Sequence, residues 1–433
     1  MTKTKHARAA AGLAALAGCA FLLGGCYKTK FNIGKVIDQV ERDSVAHTLI
    51  LIGDAGLPAR GGEPVLKALT AEIRAHDEER TTVVYLGDNI YPRGLTDSTT
   101  LAERREGERA LNEQVDAVLA TGARGILVPG NHDWDAGSSD GIHYVRRQDR
   151  YVDERGKGRV TVLPDNGCPG PAVVELDRVA RLIVLDTQWW LQPGGSRPEG
   201  PGSTCSARTE EEVVDSIRSA LGTAGARRTV VVGHHPLVSG GQHGGYFDWP
   251  SYLFPLHPWA RLGGIFARQD VRGEEYRNLR RSMTRAFTGN APLIYAAGHE
   301  HSLQVFRRAP ARYQIVSGGG IYNHTTPVRA ITGTQYARRA SGFQRVTFLR
   351  NGRVRLAVLV VDANGRTRED FSVFLDTEGL PPVISTEAEL PPPGNPSADS
   401  AAVRTGQPRT PAPGAPRPPA APAPPAATPG ARP

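Results

Sequence analysis

Residues 82–91 read Thr82-Val83-Val84-Tyr85-Leu86-Gly87-Asp88-Asn89-Ile90-Tyr91, a short apolar run that stops at a glycine and gives way to a polar cluster. A β-branched run of this length, bounded by turn residues, reads as a strand buried on both faces. The same device recurs along the chain. Residues 48–52 lead into Gly53-Asp54-Ala55-Gly56, 125–128 into Gly130-Asn131-His132-Asp133, 229–232 into Gly233-His234-His235-Pro236, and 293–297 into Gly298-His299-Glu300-His301. A further apolar run, 182–185, precedes Trp189 and Trp190. Patterns of helical period lie between the runs, so the chain reads as α/β from about residue 47 to residue 375. In such sheets ligands bind beyond the carboxyl ends of the strands, where residues distant in sequence meet.

One Gly-Asp pair after a strand is ordinarily a turn, because Asp bonds its own backbone and Gly tolerates positive φ. Five polar clusters in register with five strand ends are a different matter. Six of the twelve histidines (His132, His234, His235, His243, His299, His301) fall in or just after them. The inventory is carboxylate, asparagine carbonyl, imidazole and phenol, with no thiolate. Hard oxygen donors mixed with imidazole suit Fe, Mn or Zn and argue against a structural thiolate zinc or a copper centre. Two cations need a shared anionic bridge, a part suited to an aspartate.

The order GDxG, GDxxY, GNHD, GH and GHxH resembles the purple acid phosphatase branch of the calcineurin-like metallophosphoesterases, over roughly residues 47–320. The resemblance implies an αββα sandwich of two mixed sheets flanked by helices. It also implies two metal ions: Asp54, Asp88, Tyr91 and His301 hold the first, Asp88, Asn131, His234 and His299 the second, and Asp88 bridges them. His132 and His243 are then the substrate-facing catalytic histidines; a solvent-exposed His243 in its glycine-rich loop is the alternative. Most members of the superfamily carry a histidine ligand two residues after the first aspartate. Gly56 stands there, so Tyr91 is expected to supply the missing donor. A phenol ionises near neutral pH only beside a strong Lewis acid, which points to Fe(III) at the Tyr91 site, with Fe, Mn or Zn at the second.

The expected activity is hydrolysis of small phosphate esters, monoesters first, with a phosphodiesterase, a nucleotidase or a non-catalytic metal-binding surface lipoprotein as alternatives. No nucleophile motif supports a serine hydrolase. Between His243 and His299 lies a stretch rich in Tyr, Phe and Trp (Tyr246, Phe247, Trp249, Tyr252, Phe254, Trp259), which reads either as a specificity loop or as a local hydrophobic cluster.

The two ends of the chain read differently from its body. Lys3, Lys5 and Arg8 precede an apolar run and then Leu23-Gly24-Gly25-Cys26, the pattern of a bacterial lipoprotein signal with Cys26 as the lipidated residue. Leu16-Ala17-Gly18-Cys19 fits too, but cutting there leaves apolar residues behind. The expected organisation is a signal at 1–26, a linker at 27–46, a metallophosphoesterase domain at 47–378 and a Pro/Ala-rich tail at 379–433, unable to bury a core. The expected location is the cell envelope, facing the periplasm or the surface through the lipid anchor. There Cys168 and Cys205 either pair as a disulfide or remain two thiols. The net charge of +8 suits anionic substrates or an anionic surface. No nucleic-acid-binding motif and no obligate protein partner accompany it.

Overall fold

The computed structural model describes residues 30–32, 36, 40–244 and 273–380. The expected lipidation site Cys26, Cys19, the aromatic stretch 246–261 and the tail beyond residue 380 lie outside the described residues.

Two mixed sheets form the body. One has seven strands in the order β15 (Thr367–Phe374), β14 (Val354–Val361), β13 (Gly342–Leu349), β2 (Val45–Ile52), β3 (Thr81–Tyr85), β4 (Arg124–Leu127) and β5 (Val160–Val162). Its β2, β3, β4 and β5 run parallel, and the C-terminal hairpins add antiparallel strands beside β2. The other has eight strands in the order β1 (Lys30–Asn32), β12 (Thr334–Arg338), β10 (Leu303–Phe306), β11 (Tyr313–Ser317), β9 (Ile294–Ala297), β8 (Arg228–Val232), β7 (Ala180–Val184) and β6 (Ala172–Leu176). In this sheet β7, β8, β9 and β11 are parallel. Part of the span expected to be a linker therefore joins the fold: β1 pairs antiparallel with β12, Phe31 opposite Ala337.

The strands alternate between two buried surfaces, and this sets the layers. Leu49, Leu51, Val84, Leu86, Ile126 and Val128 of the first sheet pack against Leu182, Val184, Val230, Val232, Ile294 and Ile315 of the second, forming the central core. Their neighbours in sequence point the other way. Ile50, Ile52, Val83 and Tyr85 are covered by α1 (Pro64–Arg74), α2 (Leu101–Leu119) and α3 (Gly141–Gly156). Ile183, Val231, Tyr295 and Ala297 are covered by α5 (Glu210–Gly222) and α6 (Glu274–Phe287), with the short α4 (Gln188–Leu191) alongside. Helix–sheet–sheet–helix layering follows from this two-sided burial, which explains why the runs read as continuous apolar stretches.

The helices carry the matching stripes. In α1 Pro64 opens the first turn, the Glu63 side chain accepts from the Val65 amide at 3.2 Å, and Val65, Leu69 and Ile73 fall on one face. In α6 Tyr276, Leu279, Met283 and Phe287 do the same. Each such side chain, fully buried, contributes roughly 1.5–3 kcal/mol. Cys168 and Cys205 are joined by a disulfide with Cα atoms 5.6 Å apart, which ties the loop before β6 to the one before α5. Among the described residues no helix is long and apolar enough to cross a membrane.

Candidate metal centre

Every cluster named from the sequence leaves a parallel strand at its carboxyl end, and both sheets point these ends to the same edge. Asp54 follows β2, Asp88 and Tyr91 follow β3, and Asn131 and His132 follow β4. From the second sheet His234 follows β8, and His299 and His301 follow β9. Hydrogen bonds cross between the sheets here. The Gly53 amide donates to Ser317 O at 2.7 Å, the His299 amide donates to Asp54 Oδ2 at 2.8 Å, and His234 Nδ1 donates to Leu86 O at 2.8 Å. Asp54, Asp88 and His299 hold φ at 59, 54 and 69°. Left-handed backbone at three non-glycine residues is a strained choice, and it aims their side chains into one cleft.

The ligand atoms fall into two groups. In one, Tyr91 Oη lies 3.1 Å from Asp54 Oδ1, 3.0 Å from Asp88 Oδ2 and 3.1 Å from His301 Nε2. In the other, His234 Nε2 lies 2.9 Å from Asn131 Oδ1, 3.1 Å from His299 Nδ1 and 3.4 Å from Asp88 Oδ1. His299 Nδ1 is 3.0 Å from Asn131 Oδ1. Asp88 thus presents one oxygen to each group.

These atoms hold more lone pairs than protons: the one Tyr91 hydroxyl proton faces Asp54 Oδ1, Asp88 Oδ2 and His301 Nε2 at once. In the neutral ring the single His234 proton is on Nδ1 against Leu86 O, which leaves Nε2 with a lone pair facing Asn131 Oδ1 and Asp88 Oδ1, the form that can bind a cation. Lone pairs converging about 3 Å apart fit the edges of a coordination shell whose ligands stand about 2.0–2.2 Å from a shared cation. The residues present therefore fit two metal ions, and among the described residues Asp54, Asp88 and His234 already form a group of carboxylates and imidazole close enough to hold one.

With no cation present, protons take up the charge that the gathered carboxylates draw in. Burial pushes the His234 imidazolium down, but the Asp88 charge beside it outweighs burial and holds it up at about 9. Burial likewise raises the Asp88 carboxyl, and His234 and His132 more than reverse this, leaving it well below the carboxylate range. Burial, then the charges of Asp54 and Asp88, push the Tyr91 phenol well above its usual value. Only a strongly charged cation could make it a phenolate.

Gly56 explains why a tyrosine serves here. A Cβ at Gly56 would lie 2.4 Å from the Ile90 amide nitrogen and 2.6 Å from Asp88 O, and the Tyr91 amide donates to Gly56 O at 3.1 Å. The 88–91 loop fills the space a histidine would need.

Around the ligands stand histidines that point elsewhere. His132 Nδ1 donates to Pro92 O at 2.6 Å, its ring lies 4.5 Å from that of Tyr91, and its Nε2 stands 3.9 Å from Asp88 Oδ2. His243 stacks on His299 with centroids 4.0 Å apart. His235 is buried, its Nδ1 2.9 Å from Thr187 Oγ1, and it forms a compact imidazole group with His234 and His299. Sequence reading gave it no role.

It also passed over His324, whose ring lies 4.3 Å from His301 and 5.8 Å from Tyr91. The strand end at Ser317, followed by three glycines, was the available signal. Asp133 was seen in its cluster but not assigned. Its carboxylate accepts from the Asn89 amide at 3.1 Å, Asn89 Nδ2 at 3.0 Å and the Gly130 amide at 2.7 Å, bracing the β3 and β4 loops together.

Two sheets that bring paired donor groups to one edge, sharing a carboxylate, define a metallophosphoesterase. The chain belongs to the calcineurin-like phosphoesterase family, whose model matches residues 47–303. It is similar to purple acid phosphatase 4 of Arabidopsis thaliana, 22% identical over 214 residues, which are 46% of this chain and 52% of that protein. The chain thus spans about half the length of this curated relative, which lies in the branch that the GDxxY block resembles. Among solved structures it is similar to GAP50, the anchor in the inner membrane complex of Plasmodium, at 17% identity and a TM-score of 0.49, covering 76% of this chain and 88% of that one.

Proposed function

We propose that this chain is an acid-phosphatase-like phosphomonoesterase with a dinuclear centre, Fe(III) at the Tyr91 site and Fe, Mn or Zn at the second, held at a bacterial cell envelope by a lipid on Cys26. The observation that carries the catalytic reading is the placement of Asp88, whose two oxygens face two separate donor groups 3.0 and 3.4 Å away. Asp54, Tyr91 and His301 complete one site, and Asn131, His234 and His299 the other. When bound, the two cations supply Lewis acidity toward the phosphate oxygens and acidify water.

The protein's own groups do the rest. The strand-end loops fix the ester at the shared edge of the sheets. Water forms the new P–O bond and gives up one proton to solvent, which later restores the one spent by His132, as the ester P–O bond breaks on the opposite side. His132, anchored through Nδ1 on Pro92 O, keeps Nε2 for the substrate and in its protonated form passes that proton to the departing alkoxide. His243, on the far side over His299, donates a hydrogen bond to the phosphoryl oxygens. No covalent enzyme intermediate is required.

The test is made on purified full-length protein. About two metals per chain, a visible phenolate-to-iron band and faster hydrolysis of 4-nitrophenyl phosphate than of its bis-ester are expected. Tyr91→Phe should abolish the band, and Asp88→Ala should lose both metals and lower kcat/KM by at least about 10³. Full activity in Asp88→Ala would sink the reading, and a preference for the bis-ester would make the chain a phosphodiesterase. The anchor is checked by mass: Cys26→Ala should release the protein from membranes and remove the lipid.

A further inference from the structure

Glu300 stands between two metal-ligating positions, His299 and His301, yet its carboxylate turns away from both donor groups. It is 1% exposed. Its Oε1 accepts from Ser239 Oγ at 2.8 Å and from the Gly244 amide at 3.2 Å, and its Oε2 accepts from the Gln242 amide at 3.1 Å. Ser239 Oγ in turn accepts from the Gly241 amide at 2.8 Å. The loop amides of Gly241, Gln242 and Gly244 are therefore gathered, directly or through one hydroxyl, onto a single buried side chain. Gln304 extends the arrangement, accepting from the Gly240 amide at 2.9 Å. The fit leaves no slack: a Cβ at Gly241 would lie 2.2 Å from Glu300 Oε2. This loop carries His243 onto the ring of His299.

We infer that Glu300 is a positioning residue, which folds the 239–244 loop around its carboxylate and so holds His243 against the phosphate-binding face of the site. The inference rests on the proposed phosphatase reading and gives His243 its mechanical support. A carboxylate serves because the loop presents only donors. The residue between two ligands serves because the strand end that fixes His299 then also fixes the partner of His243. An amide in its place would turn an NH2 group toward backbone N–H groups and free part of the loop.

The experiment is a double-mutant cycle on the metal-loaded full chain, with wild type, Glu300→Gln, His243→Ala and the double variant, read by kcat and KM for 4-nitrophenyl phosphate. Hydrogen exchange of the 239–244 peptide is followed alongside. Glu300→Gln should lower kcat/KM on the order of tenfold to a hundredfold through misplacement of one group, and exchange of the peptide should accelerate. In the His243→Ala background the same change should cost less than about twofold. An equal loss in both backgrounds, or unchanged exchange, would overturn the inference. If Glu300→Gln fails to fold, Ser239→Ala, which keeps the carboxylate and removes the hydroxyl, should give the same non-additivity, and additivity there overturns the inference equally. A wild type without metals or activity would instead refute the phosphatase reading, and the exchange comparison would still decide whether Glu300 holds the loop.

Discussion

In the proposed reaction His132 is the residue whose chemistry separates binding from turnover. Its Nδ1 is spent on a backbone carbonyl and its side chain keeps 30% exposure, which leaves the other nitrogen for the proposed proton transfer. Replacing it with alanine should lower kcat about 10²–10³-fold, the usual worth of a positioned general acid. KM and metal content should change little, because no ligand is removed. An unchanged kcat would exclude His132 from proton transfer. The ligand residues were visible in sequence because each sits in a short polar block at a strand end. His324 was not, since it arrives from a loop with no such block. Nor could sequence reveal that Asp54, Asp88 and His299 adopt left-handed backbone, a conformation imposed by their surroundings at some local cost.

At the scale of elements, the site depends on how closely two loops approach. The 53–56 and 88–91 segments touch at Gly56, where a single methyl would collide with Ile90 and Asp88 backbone. Gly56→Ala should therefore displace Tyr91 and Asp88 together, costing about 1–3 kcal/mol as overpacking does and weakening metal binding. Calorimetry and metal titration read the two effects, and a variant with wild-type Tm and affinity would show the contact to be slack. Sequence identified the absence of histidine at this position. The reason it is absent lies in the packing of a loop 32 positions further on. Similarly, β1 lay within what reads as linker, because three residues carry too little periodicity to announce a strand and its partner β12 is about 300 positions away.

Across the whole molecule, buried carboxyls near the strand ends set the response to pH. Asp186 is fully buried, accepts from Trp134 Nε1 at 2.8 Å and from the Gln188 amide at 3.0 Å, and is raised by burial to about 7 from its usual 3.8. The folded state therefore holds this proton more tightly than the unfolded chain. Its ionisation lowers stability as pH rises from about 4 to about 7 and adds no further slope above that, with a slope of at most about 1.4 kcal/mol per pH unit. Asp186→Asn should flatten that part of the curve of Tm against pH in metal-free protein, whereas a persistent slope would assign it to other groups such as Asp133.

Local pattern alone determined the α/β class, six strands to within a few residues, and which side chains gather at strand ends. These follow from periodicity and turn chemistry, which act over a few residues. The two-sheet layering came only through resemblance, and the coordinates then supplied its physical basis in alternating inner and outer apolar faces. What needed the folded chain was every relation across the sheets: the two oxygens of Asp88 facing different donor groups, Glu300 bent back to hold the His243 loop, and His324 at the rim. Such relations depend on distances between strands that chain order does not encode, and close packing of the two sheets is what sets them.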